Sequence, residues 1–223
     1  MATPLLDSLL LGIGIALNPA AVIAIILVLT QTHRARPGVA FLAGWVSGLL
    51  LLVILPSLII MEALRRLLST TAWFPAWLWL SLGLTLLAAA VLALRDRATE
   101  LDPSQQPRWA GVIAAGGLGR IFGLGATLSL ASLRNIVLLA AAVAIISSAG
   151  LGAPGVLIAA AIFLGAASLG VLAPLLVFAF GGRRAAALLE EGGTWLQRNL
   201  FWLKVVVLVL LGAGMVLHGL GRV

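Results

Sequence analysis

The sequence predicts an all-α integral membrane protein: six transmembrane helices arranged as two inverted three-helix repeats, with spans 1 and 4 broken at mid-membrane. Three observations carry this prediction. The 223 residues are 62% hydrophobic and only 9% charged, which leaves too little polar surface for a soluble domain. The mean hydropathy of +1.20 is concentrated in apolar runs between short polar loops, and the length holds six runs of about 20 residues with no separate soluble domain. Two runs carry polar residues at their centres: Asn18-Pro19 within Leu11–Leu29, and Ser132-Leu133-Arg134-Asn135 within Gly123–Ile146.

Composition also removes several function classes. With no cysteine, the chain has no disulfide, thiol redox chemistry or thiolate metal site. Only His33 and His218 are histidines, both beside expected span ends, so no metal site is expected. The net charge of +7 is scattered through loops, where it sets membrane orientation rather than forming a nucleic-acid surface. The segment before the first run carries Asp7 in place of the basic residues of a signal peptide, and is read as part of span 1. No P-loop, GxSxG elbow, HExxH motif or paired-carboxylate spacing occurs, so no enzyme activity, catalytic residue or cofactor is expected.

Span 1, Pro4–Thr30, should break at Asn18-Pro19: proline removes a backbone donor and clashes with the carbonyl four residues back. Asn18 is expected to cap the second half, with Pro19 at its first position. The loop Gln31–Pro37 follows, then span 2, Gly38–Ile60, whose Gly44 and Gly48 share one helix face and suit close packing and gating. Glu62, Arg65 and Arg66 sit on a short amphipathic turn ending at Ser69-Thr70-Thr71. Span 3, Phe74–Leu94, opens with an interfacial belt of Trp73, Trp77 and Trp79. Residues 1–94 form the first repeat, and 95–120 a polar cytoplasmic connector with charges of alternating sign.

The second repeat occupies residues 121–223. Span 4 holds Ser132–Asn135; a tight loop, Ser147–Pro154, leads to span 5, Gly155–Phe180. There Gly165, Ser168, Gly170 and Pro174 repeat the order of small residues followed by proline seen in span 2, again for packing and gating. Gly181–Asn199 reads as an amphipathic interfacial loop, and Leu200–Leu220 as span 6, with Lys204 snorkelling at its start. Loops 1, 3 and 5 hold Arg34, Arg36, Arg95, Arg97, Arg108, Arg120, Arg183, Arg184 and Arg198, against Arg65, Arg66 and Arg222 opposite. Those three loops are therefore expected in the cytoplasm and both termini outside.

In this topology the second halves of spans 1 and 4 both begin at mid-membrane, with the two interruptions facing each other. Helix N-termini bring unpaired N–H groups and a partial positive charge to that point. Arg134 adds a full charge, at a cost of at least about 2.5 kcal/mol in mid-bilayer. No carboxylate offers itself, since Asp7 lies about 16 Å along the helix from Asn18 and Glu62 sits past a span end. The arrangement points to an anionic ligand held by Asn18, Pro19, Ser132, Arg134 and Asn135. The structural alternatives are that Arg134 bonds carbonyls freed at the break or sits at an interface where span 4 begins later, that Asn18-Pro19 is an ordinary kink, and that the small polar residues join helices.

The order of these segments resembles the lysine exporter superfamily, and within it the GAP family of peptidoglycolipid-addressing proteins, which includes the sulfolipid-addressing proteins. LGIGIALNPAAVIAIILVL, FLAGWVSGLLLL, SLRN and SLGVLAPLLVFAFGGRRAAALLEE, with a terminal WLQRN and apolar span, carry the resemblance over nearly the whole chain. Where such proteins usually read Asn-Pro-Lys-Asn in span 4, this chain has Ser132, Leu133, Arg134 and Asn135. The resemblance implies export of an anionic lipid, glycolipid or lipid-linked envelope precursor from the bacterial cytoplasmic (inner) membrane. Membrane lipid is then the expected partner, with a homodimer and envelope export machinery as further ones. A small-solute exporter, for an amino acid or ion, and a non-transporting assembly factor remain the alternatives.

Overall fold

The computed structural model describes residues 2–68, 76–95 and 110–221, which fold as helices with no strand among them. Chain order gives α1 (Ala2–Ala16), α2 (Pro19–Thr32), α3 (Ala35–Leu68), α4 (Ala76–Arg95), α5 (Ala110–Ala114), α6 (Leu118–Leu130), α7 (Leu133–Ser148), α8 (Ala153–Arg198) and α9 (Leu200–Leu220). The chain is a membrane protein. Ala35–Ile54 and Ala153–Gly181 are each long and apolar enough to cross a bilayer, and three bent helix pairs bring the candidate spans to five. The third span expected from the sequence corresponds to α4, 20 residues long, which includes the apolar segment Gly83–Arg95. Ser69–Thr71, Trp73 and residues 96–109, with the side chains of Pro56, Glu62, Arg65, Arg66, Trp77, Trp79, Arg183, Arg184 and Lys204, lie outside the described residues.

Both expected interruptions occur. Leu5–Ala16 meets Pro19–Thr32 at 60°, and Leu118–Leu130 meets Arg134–Ser147 at 70°. Two other boundaries differ from the sequence reading. The helix begun in span 2 continues to Leu68, taking in the residues expected to form a separate amphipathic turn. Likewise the loop expected at Gly181–Asn199 is helical: α8 runs unbroken through Pro174 to Arg198. Ala185, Leu189, Gly193 and Leu196 of that stretch are buried, and a Cβ on Gly193 would lie 2.9 Å from Ile26 Cγ2. Burial of this stretch thus outweighs the low helix propensity of its glycines, each about 1 kcal/mol. At 46 residues α8 would rise roughly 69 Å if straight, against roughly 40–45 Å for a whole bilayer.

The chain divides into two compact units. One comprises Met1–Ala72 and Arg108–Thr194, the other Trp73–Pro107 and Trp195–Val223, so each draws helices from both halves of the sequence. In the second unit α4 and α9 cross at small residues: a Cβ on Gly83 would lie 2.8 Å from the Gly212 carbonyl oxygen, and one on Gly212 3.0 Å from that of Gly83.

The first unit contains two crossings of the same design. On α3, a Cβ at Gly44 would strike the Phe122 carbonyl of α6, and one at Gly48 would strike Ser129 Oγ; on α6, one at Gly125 would strike the Phe41 carbonyl. Across α1 and α8, a Cβ at Gly12 would lie 2.7 Å from the Phe163 carbonyl oxygen, and one at Gly170 would strike the Ala16 carbonyl. Phe41, Gly44, Trp45 and Gly48 thus take the places of Phe163, Ala166, Ala167 and Gly170. Fully buried Trp45 ties α3 to α8 by donating from Nε1 to the Ala167 carbonyl, 3.3 Å away. Gly165 faces open space, whereas Pro174 is buried one turn beyond Gly170.

These contacts rank substitutions. Gly44→Val and Gly125→Val should each lose about 1–3 kcal/mol or more through overpacking, while Gly165→Ala, which meets no atom and gains helix propensity, should gain up to about 1 kcal/mol, as read by thermal unfolding in detergent. His33 ends α2 with φ 50°, a left-handed conformation that favours glycine, so His33→Gly should raise the melting temperature.

Candidate functional site

The first break is made by residues 17–19. Asn18 is extended (φ −81°, ψ 103°), its N–H reaches the Ile15 carbonyl at 3.2 Å, and Pro19 occupies the first helical position of α2. The placement matches the sequence reading, but the side chain does not: the Asn18 amide makes no capping bond. Asn18 is nonetheless only 8% exposed. The N-terminus of α2 is left without a side-chain acceptor for its free N–H groups.

The second break forms without proline. Ser132 is extended at nearly the same angles (φ −90°, ψ 107°), and its Oγ accepts from the Asn135 N–H at 3.4 Å, capping α7. Asn135 Nδ2 donates 3.1 Å to the Ser129 carbonyl in the last turn of α6. Ser132 and Asn135 together satisfy groups on both sides of the break, which lets the helix turn here without proline.

One side chain joins the two breaks. Arg134, in the first turn of α7, donates from Nη1 to the Leu17 carbonyl at 3.3 Å. The interruptions therefore meet, as the sequence reading expects, and the contact is the structural alternative raised for Arg134: a bond to a carbonyl freed by the break. A hydrogen bond from a charged donor contributes about 1.5–3 kcal/mol, so the Leu17 carbonyl offsets part of the cost of burying the Arg134 guanidinium. It occupies one N–H of five, and among the described residues no carboxylate pairs with the guanidinium.

The candidate ligand residues so fall into two groups. Arg134, Asn18 and Pro19 come together through the Leu17 carbonyl, where the uncapped start of α2 lies. Ser132 and Asn135 turn toward their own helix ends. Gly44, Gly48 and Gly170 hold helix crossings and touch no part of the break except Ser129, beside Gly48, and Ala16, beside Gly170. Sequence reasoning missed Leu17, whose contribution is a backbone oxygen, and Gly12 and Gly125, whose only signal is a glycine one to two turns before each break.

A polar break in each half, joined by one arginine and framed by close helix crossings, now stands over the same residues that carried the resemblance. The sequence model for Sap, the sulfolipid-1-addressing protein, matches residues 9–221. The chain belongs to the Sap family. Comparison with curated proteins and with solved structures finds no match. In this member of the Sap family the matched region includes both breaks and every crossing described above.

The two caps predict different costs. Ser132→Ala should lower stability by about 1 kcal/mol, the ordinary value of an N-cap, whereas Asn18→Ala should cost clearly less because no cap bond is lost. Thermal unfolding of the two variants side by side gives the comparison.

Proposed function

We propose that this Sap-family protein moves an anionic lipid, glycolipid or lipid-linked envelope precursor across the bacterial cytoplasmic membrane by alternating access, without altering it chemically. The family's name speaks of sulfolipid-1 addressing, which supports a role in lipid export or addressing. The observation that carries the reading is Arg134: a half-buried cation with one neutral partner, beside a helix N-terminus that lacks a cap. An oxyanion there would accept the spare guanidinium N–H groups and face the positive end of α2. Alternating access needs a substrate site shared by two equivalent halves. The paired crossings, Gly125 on Phe41 and Gly12 on Phe163, support a two-fold repeat of inverted halves, each of three spans.

In this mechanism the anion competes with the Leu17 carbonyl for Arg134, so that occupancy of the site loosens the contact between the two breaks. The backbone-to-backbone crossings at Gly44, Gly48 and Gly170 allow helices to slide without side chains interlocking. The orientation we assign places loops 1, 3 and 5 in the cytoplasm, on the arginine count.

Native mass spectrometry of gently solubilised protein tests the anion site. Wild type should retain a specific anionic lipid; Arg134→Ala should lose it, and Arg134→Lys, keeping charge but not the planar fork, should retain less. Equal retention by wild type and Arg134→Ala would remove the central role of the arginine.

A further inference from the structure

Beside the arginine lies a second polar corner whose chemistry is opposite. Asn135 is fully buried, and its Nδ2 is committed to the Ser129 carbonyl. That carbonyl can only accept, so the hydrogen bond fixes which side of the amide carries nitrogen and directs Oδ1 the other way. Oδ1 is buried and, among the described residues, has no hydrogen-bond partner. Ser129, also fully buried, spends its hydroxyl proton on the Ala126 carbonyl at 2.8 Å. The corner is the C-terminal end of α6, where the last carbonyls outrun the helix's own donors and the dipole is negative. Oδ1 is thus an unmatched acceptor between the end of α6 and the first turn of α7, in a place too enclosed for a lipid head group to reach.

We infer that a monovalent cation of about the size of Na⁺ binds beside the α6–α7 break at Asn135 Oδ1, together with the anion at Arg134. The co-binding rests on the anion reading above; the cation site itself does not. Neutral oxygens without carboxylates suit a monovalent ion better than Ca²⁺ or Mg²⁺, and among the described residues no group of three or more His, Cys, Asp or Glu occurs. Arg134 directs its guanidinium toward Leu17 on α1, and an anion held there lowers its repulsion of a cation on the neighbouring residue. Each ion then favours the other, which by linkage makes the effect reciprocal. Unwound backbone and half-helix C-termini serve such ions in other transporters.

The test uses the full chain in phosphatidylcholine nanodiscs, with and without phosphatidylglycerol, and radioactive sodium binding as the readout. Wild type should bind sodium saturably, displaced by NaCl and not by choline chloride, with affinity raised about fivefold or more by phosphatidylglycerol. Asn135→Leu should abolish the binding, and Asn135→Asp, which keeps an oxygen and adds charge, should tighten it. Absence of saturable sodium binding, the result expected if Oδ1 meets water alone, would overturn the site, as would affinity unchanged in Asn135→Asp. Sodium binding that is lost in Asn135→Leu yet indifferent to phosphatidylglycerol would keep the cation site and reject the anion reading. Phosphatidylglycerol retained through Arg134 without sodium binding would do the reverse.

Discussion

A helix broken inside a bilayer must find partners for the backbone groups that the break releases, because hydrocarbon supplies none. In this protein each break answers that demand partly with the other. The Leu17 carbonyl released in the first is taken by Arg134 from the second, while the second binds its own ends through Ser132 and Asn135. Neither interruption is self-sufficient in the same way: α2 begins uncapped, and α7 begins capped. The asymmetry sets the character of the site, with free N–H groups and a guanidinium on one side and, among the described residues, the unbonded Asn135 Oδ1 on the other.

The breaks can meet only because the surrounding helices come unusually close. Gly44, Gly48, Gly125, Gly12 and Gly170 put backbone against backbone at two equivalent crossings. Between them fully buried Trp45 donates to the carbonyl of Ala167, which holds the matching place on α8. A pair of unequal residues at equivalent positions makes the two halves distinguishable in packing while leaving their backbone geometry alike.

Much of this was legible in the sequence where a residue type is costly in hydrocarbon. Proline in an apolar run marks the first break, and an arginine with no carboxylate marks the second; both lie at the site. The glycine spacing in span 2 likewise places Gly44 and Gly48 at a crossing. What stayed hidden depends on partners. Spacing cannot distinguish Gly165, which faces open space, from Gly170, which lies on Ala16, because helix rotation decides it. The charged stretch after Gly181 has the composition of a loop and becomes helix through burial of Ala185, Leu189 and Leu196. Asn18 satisfies every rule for a cap, and its amide still makes no cap bond.

The central claim is that the two breaks form a site reached by an aqueous anion in mid-membrane, and the absence of cysteine from the chain gives direct access to it. Leu17 is 44% exposed at the break, so Leu17→Cys in sealed liposomes can be challenged with a membrane-impermeant, negatively charged thiol reagent. The account predicts modification at that depth, slower when Arg134 is replaced by alanine and slower when phosphatidylglycerol occupies the site. A cysteine there that stays unmodified from both faces of the membrane, while cysteines in the loops react, would contradict it.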